Sequence, residues 1–553
     1  MVATAGRGIW GRRLSPFPRV RLWSGWVALV LGAVLAFAGS GEGGGPVSAG
    51  TGISKIKHVV IITQENRSFD SYFGTYPGAD GIPMVNGQPA ACLPDPARGG
   101  CVSPFHNTAD SNVGAPHSHN DMIADLHNGA MDGFVTQAQK ALSGCTAAQP
   151  NCTYRNTNTT DVMGYHDGTD LPDYWDYARN FTLQDHMFAA ASAWSLPAHL
   201  YLVSEWSAKC AVPGDPTSCT NALQNPDSGP DPEIIGNTLI GKCQTASDLA
   251  PCRQALTTAG ISPDLAAAVD QLINTSCKPT DTYNACQAAV DAASVPAAVK
   301  QHLSDAAKHL HLPDYAWTDL TYLLHQQHVS WNYYVFNGTE PDCRNDAATC
   351  APVKQDAKTP GLWNPLLYFD TVKQDGELGN IQPLTNFYDA ARRGALPAVT
   401  WIAPTDKVSE HAPAKISTGQ RYVAGLINAI MSGPDWNSTA IFLNWDDWGG
   451  FYDHVPPPAA DGNGYGFRVP SLIISPYAKK GYVDHQTLSQ DAYIKFIEDD
   501  FLHSQRLDPA TDGRPDPRPD VRETSPLLGD LTRAFDFTQA PLPPHLLTNA
   551  STY

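Results

Sequence analysis

Basic residues are scarce in this 553-residue chain: 36 lysines and arginines stand against 55 aspartates and glutamates, a formal net charge of −19. That deficit argues against nucleic acid as a partner and against tight docking on anionic membranes, because the long-range field repels both. It does not bar a small anionic substrate from a locally positive site. Also missing is any C-x2-C pair among the twelve cysteines, which removes the usual spacing of a structural zinc site. Charged residues make up only 16%, but hydrophobic residues reach 42%, so a packed core is expected and wholesale disorder is not. Glycine and proline, 45 of each, point to many ordered turns and long surface loops.

The cysteines fall instead into six neighbouring pairs: Cys92/Cys101, Cys145/Cys152, Cys210/Cys219, Cys243/Cys252, Cys277/Cys286 and Cys343/Cys350. Six short disulfide loops are the simplest reading, each worth ~2 kcal/mol through loop closure. Such usage suits an oxidising compartment. The N-terminus agrees. Arg7, Arg12, Arg13, Arg19 and Arg21 precede an apolar run over 22–38 and a small-residue stretch. That order describes a signal peptide within 1–45, with Ala36-Phe37-Ala38 as its cleavage site; an uncleaved anchor is the alternative. Either way the expected location is secreted, periplasmic or cell-surface.

Short apolar runs at 58–62, 329–336, 399–402, 440–443 and 472–474 read as strands buried on both faces, as in a parallel sheet. Helix-prone segments lie between them, including 418–431 and 491–502. The alternation predicts an α/β fold. An alanine-rich stretch with three C-x8-C units reads as a disulfide-pinned helical insertion at about 208–315. The tail after Arg506, rich in proline and aspartate, is expected to wrap the surface or stay partly mobile.

In open α/β sheets functional groups gather at the carboxyl ends of strands. The first strand is followed by Glu65-Asn66-Arg67-Ser68-Phe69-Asp70, and the run at 440–443 by Asn444-Trp445-Asp446-Asp447-Trp448-Gly449-Gly450. The run at 399–402 leads to Ser409-Glu410-His411. Adjacent carboxylates such as Asp446 and Asp447 repel unless a cation compensates, and with an amide oxygen they suit a hard or borderline divalent ion. Taken alone, that pair could equally be a solvated turn. Ser195 precedes Pro197, which favours a helix start there. Unpaired backbone N–H groups at a helix start favour an incoming phosphate, although many such serines merely cap. His117, His119 and His411 are candidates for proton transfer.

These segments together resemble the bacterial phosphoesterase family of non-specific phospholipases C and a related acid phosphatase, within the alkaline-phosphatase-like superfamily. Matching stretches run in family order across 53–505: the block through Glu65-Asn66-Arg67-Ser68-Phe69-Asp70, then 129–134, Ser195-Leu196-Pro197, 396–401 with Ser409-Glu410-His411, the block from Asp446 to His454, and 466–476. The resemblance implies a phosphoesterase domain over 53–545, built on an alkaline-phosphatase-like, mostly parallel sheet flanked by helices. It implies one divalent metal ion held by Glu65, Asn66, Asp446 and Asp447, with the Ser195 hydroxyl as nucleophile and further ligand. It makes His117 and His411 phosphate binders or proton donors, His119 being an alternative to His117. The implied substrate is a phosphate ester, either a phospholipid cleaved to diacylglycerol and a phosphorylated head group or a monoester. No protein partner is implied. One departure stands out: Ala198-His199 occupy the place where the family's phospholipases commonly carry Asn-Arg, which weakens the expectation of a bidentate phosphate clamp. A rival of another class is a secreted binding protein that keeps a relic site.

Overall fold

The computed structural model describes residues 52–143, 160–212, 214–223, 313–342 and 353–553. Eight strands form one sheet: β1 (His58–Gln64), β2 (Thr182–Gln184), β3 (Trp331–Val335), β4 (Ile381–Pro383), β5 (Val399–Ala403), β6 (Thr439–Trp445), β7 (Ser471–Ile474) and β8 (Tyr482–Asp484). Their order across the sheet is β4-β3-β5-β1-β6-β7-β2-β8. Every neighbouring pair is parallel except those made by β7, which runs against both β6 and β2. The central strands β5 and β6 are buried along their whole length and β1 along all but His58. Continuous apolar sequence, rather than alternation, is what such doubly covered strands require.

Helices pack around this sheet. Those that matter for the site are α1 (Phe69–Phe73), α2 (His119–Leu126), α3 (Ser195–Ser204), α4 (Ile416–Met431) and α5 (Asp491–Phe501). Helix α3 is buried on every side, all ten of its residues included, which explains its apolar sequence without a polar face. The α/β expectation therefore holds, as do the five strands and the two helices read from the sequence. The three additional strands, β2, β4 and β8, have three residues each, too few for a pattern to register.

Two expected disulfides are formed, Cys92–Cys101 and Cys210–Cys219. The pairs at 145/152, 243/252, 277/286 and 343/350 lie outside the described residues, as do the N-terminal segment 1–45 and most of the 208–315 insertion. The described beginning of that insertion is a hairpin with no more than a 3-10 turn, Pro216–Ser218, in it: Ala208–Cys210 pairs antiparallel with Cys219–Asn221, and the disulfide closes this hairpin. The tail wraps the body, anchored by the buried Arg522, which pairs with Asp491 and Asp461. Among the described residues no helix is long and apolar enough to cross a membrane.

Candidate functional site

Register brings the chemistry together. Thr63 lies opposite Asn444, and Gln64 opposite Trp445, so β1 and β6 end side by side and release Glu65-Asn66 beside Asp446-Asp447. The crossing is stitched by backbone bonds: the Asp446 N–H donates to the Gln64 carbonyl (3.0 Å) and the Arg67 N–H to the Asp447 carbonyl (3.0 Å). Asn66 takes a left-handed backbone, φ 63°, and its N–H donates to Asp446 Oδ1 at 2.9 Å. Gly449, φ 59°, donates to Asp447 Oδ1 at 2.7 Å. A Cβ at that glycine would stand 2.6 Å from the Asn66 Cβ and carbonyl oxygen, so this turn needs glycine for both space and backbone.

From the other side comes α3, and Ser195 is its first residue, as the sequence suggested. The hydroxyl of Ser195 donates to Asp447 Oδ2 at 3.2 Å and lies 3.5 Å from Asn66 Oδ1. One helical turn on, His199 sets its Nε2 3.0 Å from Glu65 Oε1. Glu65, Asn66, Ser195, Asp446 and Asp447 are thus gathered at one point, all buried.

Two of the three predicted histidines border this cluster. The Nδ1 of His117 lies 2.8 Å from the Ala115 carbonyl and its Nε2 lies 3.1 Å from Asn66 Nδ2. An N–H on Nδ1 and a lone pair on Nε2 satisfy both contacts. The His411 ring is 6.3 Å from that of His117. Its Nδ1 faces the Ala412 carbonyl (2.9 Å) and its Nε2 faces Asp342 Oδ1 (2.8 Å), two acceptors that call for two N–H groups, the imidazolium form. Asp342 also accepts from the Trp363 indole at 2.8 Å. Burial opposes the charge on each partner, but the ion pair outweighs it: the Asp342 pKa falls to about 2 and that of His411 rises. The loop carrying His411 is pinned from below, where Glu410 accepts from Tyr72 (2.7 Å), Tyr174 (2.5 Å) and Trp445 (3.2 Å). His119 behaves differently. It opens α2 behind a Ser118 capping box and turns its Nδ1 to the Ser192 carbonyl, away from the carboxylates.

Sequence reasoning missed Asp342 and the contact made by His199. The latter had a signal, since position i+4 from a serine at a helix start shares its face. Asp342 had none, because it meets His411 only through the tertiary fold.

No lysine or arginine among the described residues pairs with Glu65, Asp446 or Asp447, and Glu65 Oε2 and Asp446 Oδ2 are buried with no hydrogen-bond partner there. Burial first, then the charge of Asp446, pushes both Glu65 and Asp447 well above the usual carboxylate range. A divalent cation fits: the donors are carboxylate, amide and hydroxyl oxygens, and orphaned oxygens in a buried acid cluster are what such an ion satisfies.

An α/β protein with a serine and an acid cluster at the carboxyl ends of parallel strands is the class this geometry defines. More particularly, the chain belongs to the Phosphoesterase family, whose sequence model matches residues 56–502. It is 25% identical over 559 residues to the non-hemolytic phospholipase C of Burkholderia pseudomallei, covering 89% of this chain and 61% of that protein. Phospholipase C B of Mycobacterium tuberculosis is 24% identical over 569 residues, covering 93% and 85%. The non-hemolytic phospholipase C of Pseudomonas aeruginosa is 23% identical over 539 residues, covering 88% and 58%. The chain spans about three fifths of the Burkholderia and Pseudomonas proteins. The family resemblance read from the motifs is thereby borne out.

Proposed function

We propose that the chain is an exported, metal-dependent phosphoester hydrolase that works through a phosphoserine at Ser195, with a phospholipid as substrate. The observation that carries this is the Ser195 hydroxyl at 3.2 Å from Asp447, inside a buried acid set that no lysine or arginine among the described residues balances. Glu65, Asn66, Asp446, Asp447 and the Ser195 oxygen would hold one divalent ion. Such an ion lowers the pKa of a coordinated hydroxyl and offsets the charge of a phosphate.

The chain's own residues supply the rest. Ser195 stands in the first turn of α3, where backbone N–H groups without intrahelical acceptors face an incoming anion. Its hydrogen bond to Asp447 orients the hydroxyl for attack. The Ser195 oxygen bonds to phosphorus as its proton passes to Asp447 Oδ2, and the bond from phosphorus to the alcohol oxygen breaks. His411, held as the imidazolium by Asp342 at Nε2, gives its Nδ1 proton, shared until then with the Ala412 carbonyl, to that leaving oxygen. His117 accepts from the Asn66 amide nitrogen through its Nε2 lone pair, which keeps the amide oxygen turned toward Ser195. Water then cleaves the phosphoserine, its hydroxyl going to phosphorus and its proton to His411, while Asp447 returns the first proton to the Ser195 oxygen.

A specific observation favours a second reading, hydrolysis of monoesters as by an acid phosphatase. Where family phospholipases carry Arg, His199 is turned inward to Glu65, so it offers no guanidinium fork to a diester. Side-by-side assays with a chromogenic phosphate monoester and a phosphocholine diester decide between the two, with Asp446→Asn as control. Faster turnover of the diester, lost in the variant, supports the phospholipase; the reverse preference supports the phosphatase. Turnover of neither would sink both.

A further inference from the structure

We infer that His199 supplies a nitrogen ligand to the divalent ion of the strand-end cluster, an inference that rests on the metal-dependent reading above and goes beyond its all-oxygen ligand set. His199 is 3% exposed and follows Ser195 by one turn, so both side chains leave α3 on the same face. The histidine nitrogen and one carboxylate oxygen each from Glu65 and Asp446 all lie within 4.8 Å of one another. Two ligands bound at ~2.1 Å and at right angles stand ~3.0 Å apart. The His199 Nε2 to Glu65 Oε1 separation is 3.0 Å and the Ser195 Oγ to Asp447 Oδ2 separation 3.2 Å, both near that value. His117 is set differently. It faces the Asn66 amide nitrogen, whereas the amide oxygen faces Ser195, so the amide group stands between His117 and the acids. One nitrogen among oxygens moves preference away from magnesium and calcium toward iron, nickel, copper or zinc.

A competing arrangement has the His199 N–H merely donating to Glu65 and orienting it. Loss of such a supporting bond costs ~10–100-fold in metal affinity, so affinity alone does not separate the two. Spectroscopy does. In the full-length protein loaded with Mn2+, electron spin-echo modulation reports nitrogen bound directly to the ion. The wild type should show 14N modulation that changes on labelling histidine with 15N. His199→Gln should keep Mn2+, bound at least ~10-fold more weakly, and lose the modulation. The double variant His117→Gln/His411→Gln should retain it, which keeps the test decisive should His199→Gln not fold. Bound Mn2+ without 14N modulation, or modulation that survives His199→Gln, overturns the inference and leaves the metal-dependent reading standing. A wild-type chain that takes up no Mn2+ overturns both.

Discussion

Two acidic clusters arise from the same two segments and meet opposite fates. In the first, Glu65, Asn66, Asp446 and Asp447 gather with two carboxylate oxygens unpartnered and no lysine or arginine among the described residues to pair with them. A few residues further along each segment, Asp70 and Asp453 are as deeply buried but are bound by the Arg468 guanidinium at 3.0 and 2.9 Å. Arg468 also donates to the carbonyls of Asp80 and Asp185, and the Nδ1 of His454 meets Asp70 at 2.7 Å. Buried carboxylates are therefore not a site in themselves. What distinguishes a structural knot from a ligand seat is whether the fold provides the balancing charge.

The contrast breaks most visibly at the unbalanced cluster. Ser195→Ala and Asp446→Asn should each lower kcat for phosphoester hydrolysis by roughly 10³-fold or more, with an unchanged circular dichroism spectrum. Near-normal turnover by folded Ser195→Ala protein would remove the nucleophile assignment. Arg468→Gln attacks the balanced cluster instead. It strands two buried carboxylates and should cost about 3–5 kcal/mol of stability. Denaturant unfolding measures this, and the residual folded fraction should still bind the metal; a cost under ~1 kcal/mol would contradict the account.

A subtler change is Gly449→Ala, which forces a Cβ onto Asn66 at φ 59°. The strain, about 1–3 kcal/mol, should show as weaker metal binding in calorimetry, and undiminished binding would show that the turn does not hold Asn66 in place. The smallest effect concerns pH. His411 has a raised pKa, so its part of the ion pair is fully present below about 6.5 and is lost as pH rises through the folded value. Asp342, lowered to about 2, contributes above the usual carboxylate pKa and loses that contribution as pH falls toward 2. In Asp342→Asn the alkaline limb of the kcat profile should move to lower pH. An unmoved limb would detach His411 from the role of acid.

Much of this was legible in the sequence, for reasons that differ by residue. The runs that became β1, β5 and β6 are apolar throughout because both faces are covered, and that pattern is local. Ser195 and the acids could be placed at element ends for the same reason. The short edge strands have too few residues to carry a pattern. The balance of charge was not legible either: nothing near Asp453 announces that Arg468 will neutralise it, and nothing near His411 announces Asp342. Those pairings depend on the closed fold.

The most direct test counts metal in the purified full-length chain by elemental analysis, for wild type, Asp446→Asn and Asp70→Asn. One equivalent of divalent ion is expected in the wild type and in Asp70→Asn, and essentially none in Asp446→Asn. A wild-type protein that hydrolyses phosphoesters at full rate with no bound divalent ion would contradict that expectation.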